Sequence, residues 1–360
     1  MNIGIPKERR PFEFRVGMTP AGVEALTKLG HPCYVEHEAG LGAGFSDMDY
    51  ERGGARIVYS PEEAFGRADL VLKVARPLYE ELQWLSGDAA IAGLLHLTSS
   101  RKDKIDLLQH KQITAIAYEQ VRLPDGSMPV RAPLSQIGGY LAAQIGARLL
   151  QNDSGGKGIL LGGMAGIPPA EVAVIGAGLS GACAVQAFLG MRAHLTVLDT
   201  DLNALQRICE RFPGVVTMVS NPRNIARVCT YADIVAAAIM VPGERAPIVI
   251  TREMVRSMKP RSVIMDLSID EGGCVETSRP TTHDRSYYEE EGVIHYCVPN
   301  IPSVVARTAT YAFINAAFPF ILKIVNEGVD KAKEEDPAIA NGIMVYRGKL
   351  RSNMRFSSGS

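Results

Sequence analysis

The sequence predicts an α/β protein made of two doubly wound parallel-sheet domains, and three observations carry that prediction. Short apolar segments alternate with helix-length segments along nearly the whole chain, the pattern of parallel strands covered on both faces. A glycine-rich turn follows directly on an apolar strand in VAVIGAGLSG and opens a helix. The length of 360 residues suits two hydrophobic cores better than one.

Taken in order, strands are expected over residues 2–5, 33–36, 70–74, 90–95 and 114–117, with helices over 21–29, 61–65 and 102–110. RLPDGSMPV, residues 122–130, reads as hairpin-like, with Asp125-Gly126 as its turn. A long helix follows over 135–150, because Ile137, Leu141, Ile145 and Leu149 recur every four positions. Strands resume at 172–175, 195–199, 215–219, 234–238, 262–266 and 293–298. The segment 308–335 is helical and apolar on most faces, so it needs burial against a domain or a subunit.

Bulk numbers exclude several classes. Lys plus Arg total 38 against 39 Asp plus Glu, a net charge of −1, with no long run of either sign. Nucleic acid and anionic membrane surfaces are therefore not expected partners. The six cysteines (Cys33, Cys183, Cys209, Cys229, Cys274, Cys297) have neither CxxC spacing nor a metal-like relation to histidine, so no metal or disulfide framework is expected. The N-terminus lacks an apolar h-region, and no stretch reads as a membrane span of about 18 residues. A cytoplasmic location is the expectation.

The glycine turn carries the first chemistry. In Gly176-x-Gly178-x-x-Gly181 the first glycine permits a tight turn, the second admits a pyrophosphate and the third lets helix and strand pack closely. The helix N-terminus, with Leu179 in its first turn, offers free N–H groups to phosphate. The next strand ends in Asp199, 21 positions beyond Gly178, where a carboxylate meets ribose hydroxyls and repels a 2′-phosphate. This marks a Rossmann NAD-binding domain. Other strand ends of that half, at Val241-Pro242-Gly243, residues 269–273 and Pro299-Asn300, are candidates to finish the site. The expected organisation is a discontinuous substrate domain, residues 1–130 plus 306–350, around an NAD-binding domain, 131–305, with a mobile tail over 351–360.

In the first half Arg15 lies in the loop after the first strand, Lys73 near the end of another, and His96 just after a third. Their strand ends share one edge of a parallel sheet, where they could converge on a small anion. Singly, each could equally be a solvated or structural residue.

Longer motifs decide between these readings. GIPKERRPFEFRVGMTP and GGKGILLGGMAGIPPAEVAVIGAGLSG resemble the two signatures of the alanine dehydrogenase and pyridine nucleotide transhydrogenase family. DLSIDEGGCVETSRPTTH and HYCVPNIPSVVARTAT look closer to its dehydrogenase branch, and the resemblance runs from about residue 1 to 350. It implies an active site in an interdomain cleft and a homohexamer. It also implies an NAD-dependent, reversible oxidative deamination of L-alanine to pyruvate and ammonia. Arg15 and Lys73 would bind the substrate carboxylate, His96 would be the acid/base residue, and Asp270 would complete the catalytic pair. Glu119 would support the substrate site, and Ser135, Ser220, Asp270 and Asn300 would lie near the cofactor, Asn300 also near the substrate.

Those residue types suit the chemistry. Arginine grips a carboxylate through two parallel hydrogen bonds, and lysine adds a compact charge. Hydride transfer from Cα to nicotinamide C4 leaves an iminium that water must hydrolyse, and histidine can move the protons near neutral pH. Departures from the family pattern are Ala75-Arg76 in place of Lys-Glu, Gln136 where an acid is common, Arg131 before it, and Ile301 and Ala306 in the NIPSVVART segment. None removes a candidate catalytic residue, but they bear on side-chain preference. The alternatives are a related amino-acid dehydrogenase, the nucleotide-binding subunit of a transhydrogenase, and a catalytically silent relative.

Overall fold

The computed structural model describes residues 1–241 and 245–351. The tail expected from 351 onward, and Pro242 and Gly243 of the 241–243 segment, lie outside the described residues, apart from Arg351 itself. The chain forms two compact units, Met1–Leu134 together with the chain from Ser303 on, and Ser135–Pro302.

Strands of the first unit before the crossover are β1 (Ile3–Ile5), β2 (Cys33–Glu36), β3 (Arg56–Val58), β4 (Leu70–Leu72), β5 (Ala90–Gly93) and β6 (Thr114–Ala117). The second unit supplies β7 (Glu171–Ile175), β8 (His194–Asp199), β9 (Val216–Val219), β10 (Ile234–Ala237), β11 (Val263–Asp266), β12 (Tyr287–Glu290) and β13 (Val293–Tyr296). The chain then returns to the first unit for β14 (Ile343–Tyr346) and β15 (Lys349–Leu350).

The first sheet has the order β15-β14-β6-β5-β4-β1-β2-β3, parallel from β6 to β3. β14 joins β6 antiparallel. The second has the order β12-β13-β11-β10-β7-β8-β9, parallel except for the β12–β13 pair at one edge. β1, β4, β5 and β6 are buried at every position, as are β10, β11 and β13, because helices cover both faces of each sheet. In each sheet the chain runs outward from one inner strand, then restarts on that strand's other side. The reversal falls between β1 and β4 in the first unit and between β7 and β10 in the second. Such switch points open a crevice beyond the strand C-termini.

Local chemistry explains most boundaries. The helix Pro20–Lys28 starts at Thr19, whose hydroxyl accepts from Gly22 N, with proline in its first turn. The helix over the expected 102–110 segment forms as read. The longer one begins three residues before the expected start, as Ala132–Leu149. Residues 122–130 form no strand pair. Leu123 N donates to Ser127 O at 2.9 Å and closes a turn around Gly126, whose φ is +84°.

The helix Ala306–Glu327 buries Ala309, Phe313, Ala317, Ile321 and Ile324 in the first unit. A window inside Ile301–Glu327 reaches a mean hydropathy of 1.4 and is long and apolar enough to cross a membrane, contrary to the sequence reading. Its apolar residues gather on a face that packs against protein.

Candidate active site

Arg15, Lys73 and His96 leave the C-terminal ends of β1, β4 and β5, which lie side by side in the first sheet. The first two flank its switch point. The approach is close: a Cβ on Gly17 would lie 2.1 Å from Leu72 O, so only glycine lets the β1 loop pass the end of β4.

Each candidate cation is held by carboxylates that the sequence reading missed. Arg15 is 3% exposed, and its Nε and Nη2 donate to Glu13 Oε1 and Oε2 at 2.7 and 2.6 Å. The Arg15 backbone N–H also donates to Glu13 Oε1, at 3.2 Å. Lys73 is 1% exposed, with Nζ 2.8 Å from Glu81 Oε1 and 3.0 Å from Glu8 Oε2. Burial alone would pull the Lys73 ammonium down, but Glu8 and Glu81 carry it above the usual lysine range. Glu8 is pushed up by burial, with Glu13 and Glu81 adding to the effect. The same carboxylates fasten the backbone: Glu8 accepts from Val74 N at 2.6 Å and Glu81 from Leu78 N at 2.7 Å.

His96 sits in the left-handed region, with φ +44° and ψ +47°. Such a backbone costs a non-glycine residue of order 1 kcal/mol or more and needs outside support. Glu119 supplies it, accepting from His96 N at 2.6 Å and Leu95 N at 3.1 Å. Ser99 and Ser100 hydroxyls donate to His96 O. The imidazole, half-buried, makes no side-chain hydrogen bond among the described residues.

In the second unit the fingerprint glycines have distinct constraints. Gly176 has φ +103°, and a Cβ there would meet Ala238 O at 2.3 Å. A Cβ on Gly181 would meet Gly176 O at 1.8 Å, whereas at Gly178 nothing lies within 4 Å. The helix Leu179–Gly190 therefore begins without a side-chain cap, beside open space. Asp199, at the tip of β8, accepts from Ala177 N at 2.5 Å and Asp201 N at 2.8 Å, tying its carboxylate to the glycine turn. Ser220 follows β9, with its N–H on Asp199 O at 2.8 Å. Half-buried Val241 follows β10, and Leu179 is exposed at the helix start. Ser135 lies in the helix Ala132–Leu149, which approaches the fingerprint helix so closely that a Cβ on Gly139 would meet Ser180 O at 2.2 Å. An uncapped helix start, an unobstructed glycine and a carboxylate at the next strand tip fit a dinucleotide.

Asp270 occupies the single turn Ile269–Glu271 after β11, and its Oδ2 accepts from Asn300 N at 3.1 Å. That contact brings these two expected residues together. The loop is anchored by Asp266, 1% exposed, whose carboxylate accepts from Ser268, Cys274 and Val275 N at 3.1, 2.9 and 3.3 Å. Gly273 follows with φ +78°, where a Cβ would sit 2.9 Å from Asp266 Oδ2. The DLSIDEGG spelling held this signal: an acid at a buried strand end followed by two glycines.

Comparison with known proteins agrees with this layout. Residues 4–138 match the family model for the alanine dehydrogenase/PNT N-terminal domain, and 142–353 that for the C-terminal domain. The chain is 43% identical to an alanine dehydrogenase of Methanococcus maripaludis, over 97% of this chain and 94% of that protein. With an alanine dehydrogenase of Mycolicibacterium smegmatis it shares 41%, over 98% and 95%. A solved L-alanine dehydrogenase superposes with a TM-score of 0.93 at 40% identity, covering 97% and 96%. A transhydrogenase from Sinorhizobium meliloti superposes with a TM-score of 0.83 at 25% identity, covering 97% and 98%. Both domains being matched by their models and relatives this close spanning almost the whole chain, the protein belongs to the alanine dehydrogenase/PNT family.

Proposed function

We propose that this protein catalyses the reversible NAD-dependent oxidative deamination of L-alanine, in which L-alanine, NAD+ and water give pyruvate, ammonium, NADH and a proton. The observation that carries the proposal is the trio at one sheet edge: Arg15, Lys73 and His96 on three adjacent strand ends, two of them buried cations. Cations buried at such cost suit an anionic substrate group, and the likeness to alanine dehydrogenases over nearly the full length supports the choice of amino acid.

In this reading Arg15 and Lys73 bind the substrate carboxylate and Glu119 keeps the backbone of His96 in place. His96 takes the protons released as water adds and ammonia leaves, and returns them in the reverse direction. Asp270 stabilises the charged imidazole or positions the water. Gly176, Gly178, Leu179 and Gly181 would hold the pyrophosphate of NAD, and Asp199 its adenine ribose, with Ser135, Ser220, Val241, Asp270 and Asn300 nearby. Bound there, the nicotinamide supplies the acceptor for the hydride leaving Cα. A cytoplasmic homohexamer, with no nucleic-acid or membrane partner, belongs to the same proposal. A transhydrogenase subunit would use the second unit's site but would leave the buried Arg15 and Lys73 without a task.

The test is NADH absorbance in the presence of NAD+ and a panel of L-amino acids at mildly alkaline pH, with the reverse run on NADH, ammonium and 2-oxo acids. L-alanine and pyruvate should be the preferred pair. Activity only with another amino acid would replace the substrate, and NADH binding without any turnover would overturn the dehydrogenase reading. For the cofactor, Asp199→Gly should raise the NADP+/NAD+ ratio of kcat/KM by tenfold or more, about the worth of one charged contact. An unchanged ratio would move the ribose site elsewhere.

A further inference from the structure

Next to the Lys73 cluster the first unit gathers three cations of a different kind. Arg15, Lys73 and the neighbouring Arg9 all have carboxylate partners. Arg10, Arg76 and Lys104 have none within 4.0 Å among the described residues. They hold backbone and hydroxyl oxygens instead. Arg10 Nε donates to Arg76 O at 2.8 Å, Lys104 Nζ to Pro77 O at 2.7 Å, and Arg76 Nη1 to Ser99 Oγ at 3.4 Å. Two cations thus rest on consecutive carbonyls, and the third belongs to the residue that supplies one of them.

Neutral oxygens fix these groups without cancelling their charge. Burial first, and then Arg76, lowers Arg10, while burial and then Arg10 and Arg76 lower Lys104; Glu81 acts the other way on both, joined by Glu8 and Glu13 on Arg10 and by Asp103 on Lys104, without reversing the direction. The chemistry that relieves such crowding is an oxyanion. Arg10 keeps both terminal guanidinium nitrogens for one, and Lys104 keeps two of its three protons. The cluster also lies one step from the reacting residues: Ser99, which receives Arg76, donates to His96 O at 3.0 Å, and Arg76 is three residues beyond Lys73.

The two directions of the proposed reaction differ in substrate charge. The 2-oxo acid is an anion, the amino acid is a net-neutral zwitterion, and ammonium is a cation. We propose that Arg10, Arg76 and Lys104 form an anion station at the edge of the substrate site that draws in the carboxylate of the 2-oxo acid and disfavours ammonium. This rests on the dehydrogenase reading above. The station favours one substrate of the reverse reaction and opposes the other, so it can act within the fixed overall equilibrium.

The experiment compares wild type with Arg76→Gln, an exposed residue whose loss leaves the other two cations on their carbonyls. At low salt, KM for pyruvate should rise about three- to tenfold, the scale of one steering charge within a Debye length. KM for ammonium should fall and KM for L-alanine should stay within twofold. Added inert salt should raise the wild-type KM for pyruvate and move the variant less. Equal changes for pyruvate and L-alanine, or no change for either, would overturn the station. A second arm needs no turnover: inorganic phosphate is titrated calorimetrically into both proteins, with weaker binding to the variant expected. Equal binding, or none to wild type, would overturn the station even if the dehydrogenase assay succeeds. Failure of that assay with phosphate binding intact would instead overturn the steering role and the dehydrogenase reading together.

Discussion

The two sheets present their C-terminal edges in opposite ways. The first offers side chains, each fixed by a carboxylate: Glu13 on Arg15, Glu8 and Glu81 on Lys73, and Glu119 on the backbone of His96. The second offers backbone, with Gly176 and Gly181 fitted against main-chain oxygens and Gly178 left open. A small charged substrate needs directed charge, and directed charge in a buried place needs partners. A long dinucleotide needs a helix end and room.

Substitutions at each edge should therefore fail in different ways. The largest effect is expected at His96. His96→Ala should lower kcat by about 10²–10⁴-fold, the usual worth of a positioned acid/base group, while NADH affinity from fluorescence titration stays within about twofold. Turnover near wild type would remove His96 from the mechanism.

At the other edge two alanines separate packing from ligand contact. Gly181→Ala forces a Cβ onto Gly176 O and should cost about 1–3 kcal/mol in thermal or denaturant unfolding. Gly178→Ala meets no protein atom, so stability should hold while NADH affinity falls. If both variants behave alike, the two glycines serve one purpose, and packing and ligand contact are not divided between them.

Glu119→Gln replaces one of the oxygens that hold Leu95 and His96 N–H by an NH₂ group. A fall of about tenfold in kcat with little change in KM for L-alanine is expected, because His96 is displaced rather than the carboxylate site. A change confined to KM would place Glu119 on the substrate instead.

The smallest effect concerns a neutral buried group in the second unit. His295 is fully buried, its Nδ1 2.9 Å from Val293 O and its Nε2 2.7 Å from Thr277 Oγ1. That pairing makes Nδ1 the donor to the carbonyl and Nε2 the acceptor from the hydroxyl. Burial holds its pKa below the ordinary 6.5. The unfolded chain then binds the proton more readily, so stability is lost as pH falls from about 6.5 toward the folded value and is flat above that window. Melting temperature should drop between pH 7 and 5 by less in His295→Gln than in wild type, and equal slopes would exclude this histidine as a source.

The same contrast explains what the sequence revealed. The glycine spacing and Asp199 were legible because a backbone site is written as residue types at fixed intervals. Core strands such as β2 and β6 were legible to the residue, being buried at every position except the half-buried Tyr34. β3, β12 and β15 escaped notice as two- to four-residue edge strands, with sequences such as YYEE that carry no apolar run. Glu8 and Glu13 sit in a stretch crowded with arginine and lysine, where charges read as solvated, and Glu81 lies on a separate short helix. Only the fold brings them onto Arg15 and Lys73.

Isotope transfer reports whether hydride leaves Cα of L-alanine for the bound cofactor. L-alanine carrying deuterium at Cα, incubated with the enzyme and NAD+, should yield NADH with one deuterium at nicotinamide C4 by mass spectrometry and NMR. NADH formed without the label, or pyruvate formed without NADH, would rule out direct hydride transfer from Cα to the nicotinamide.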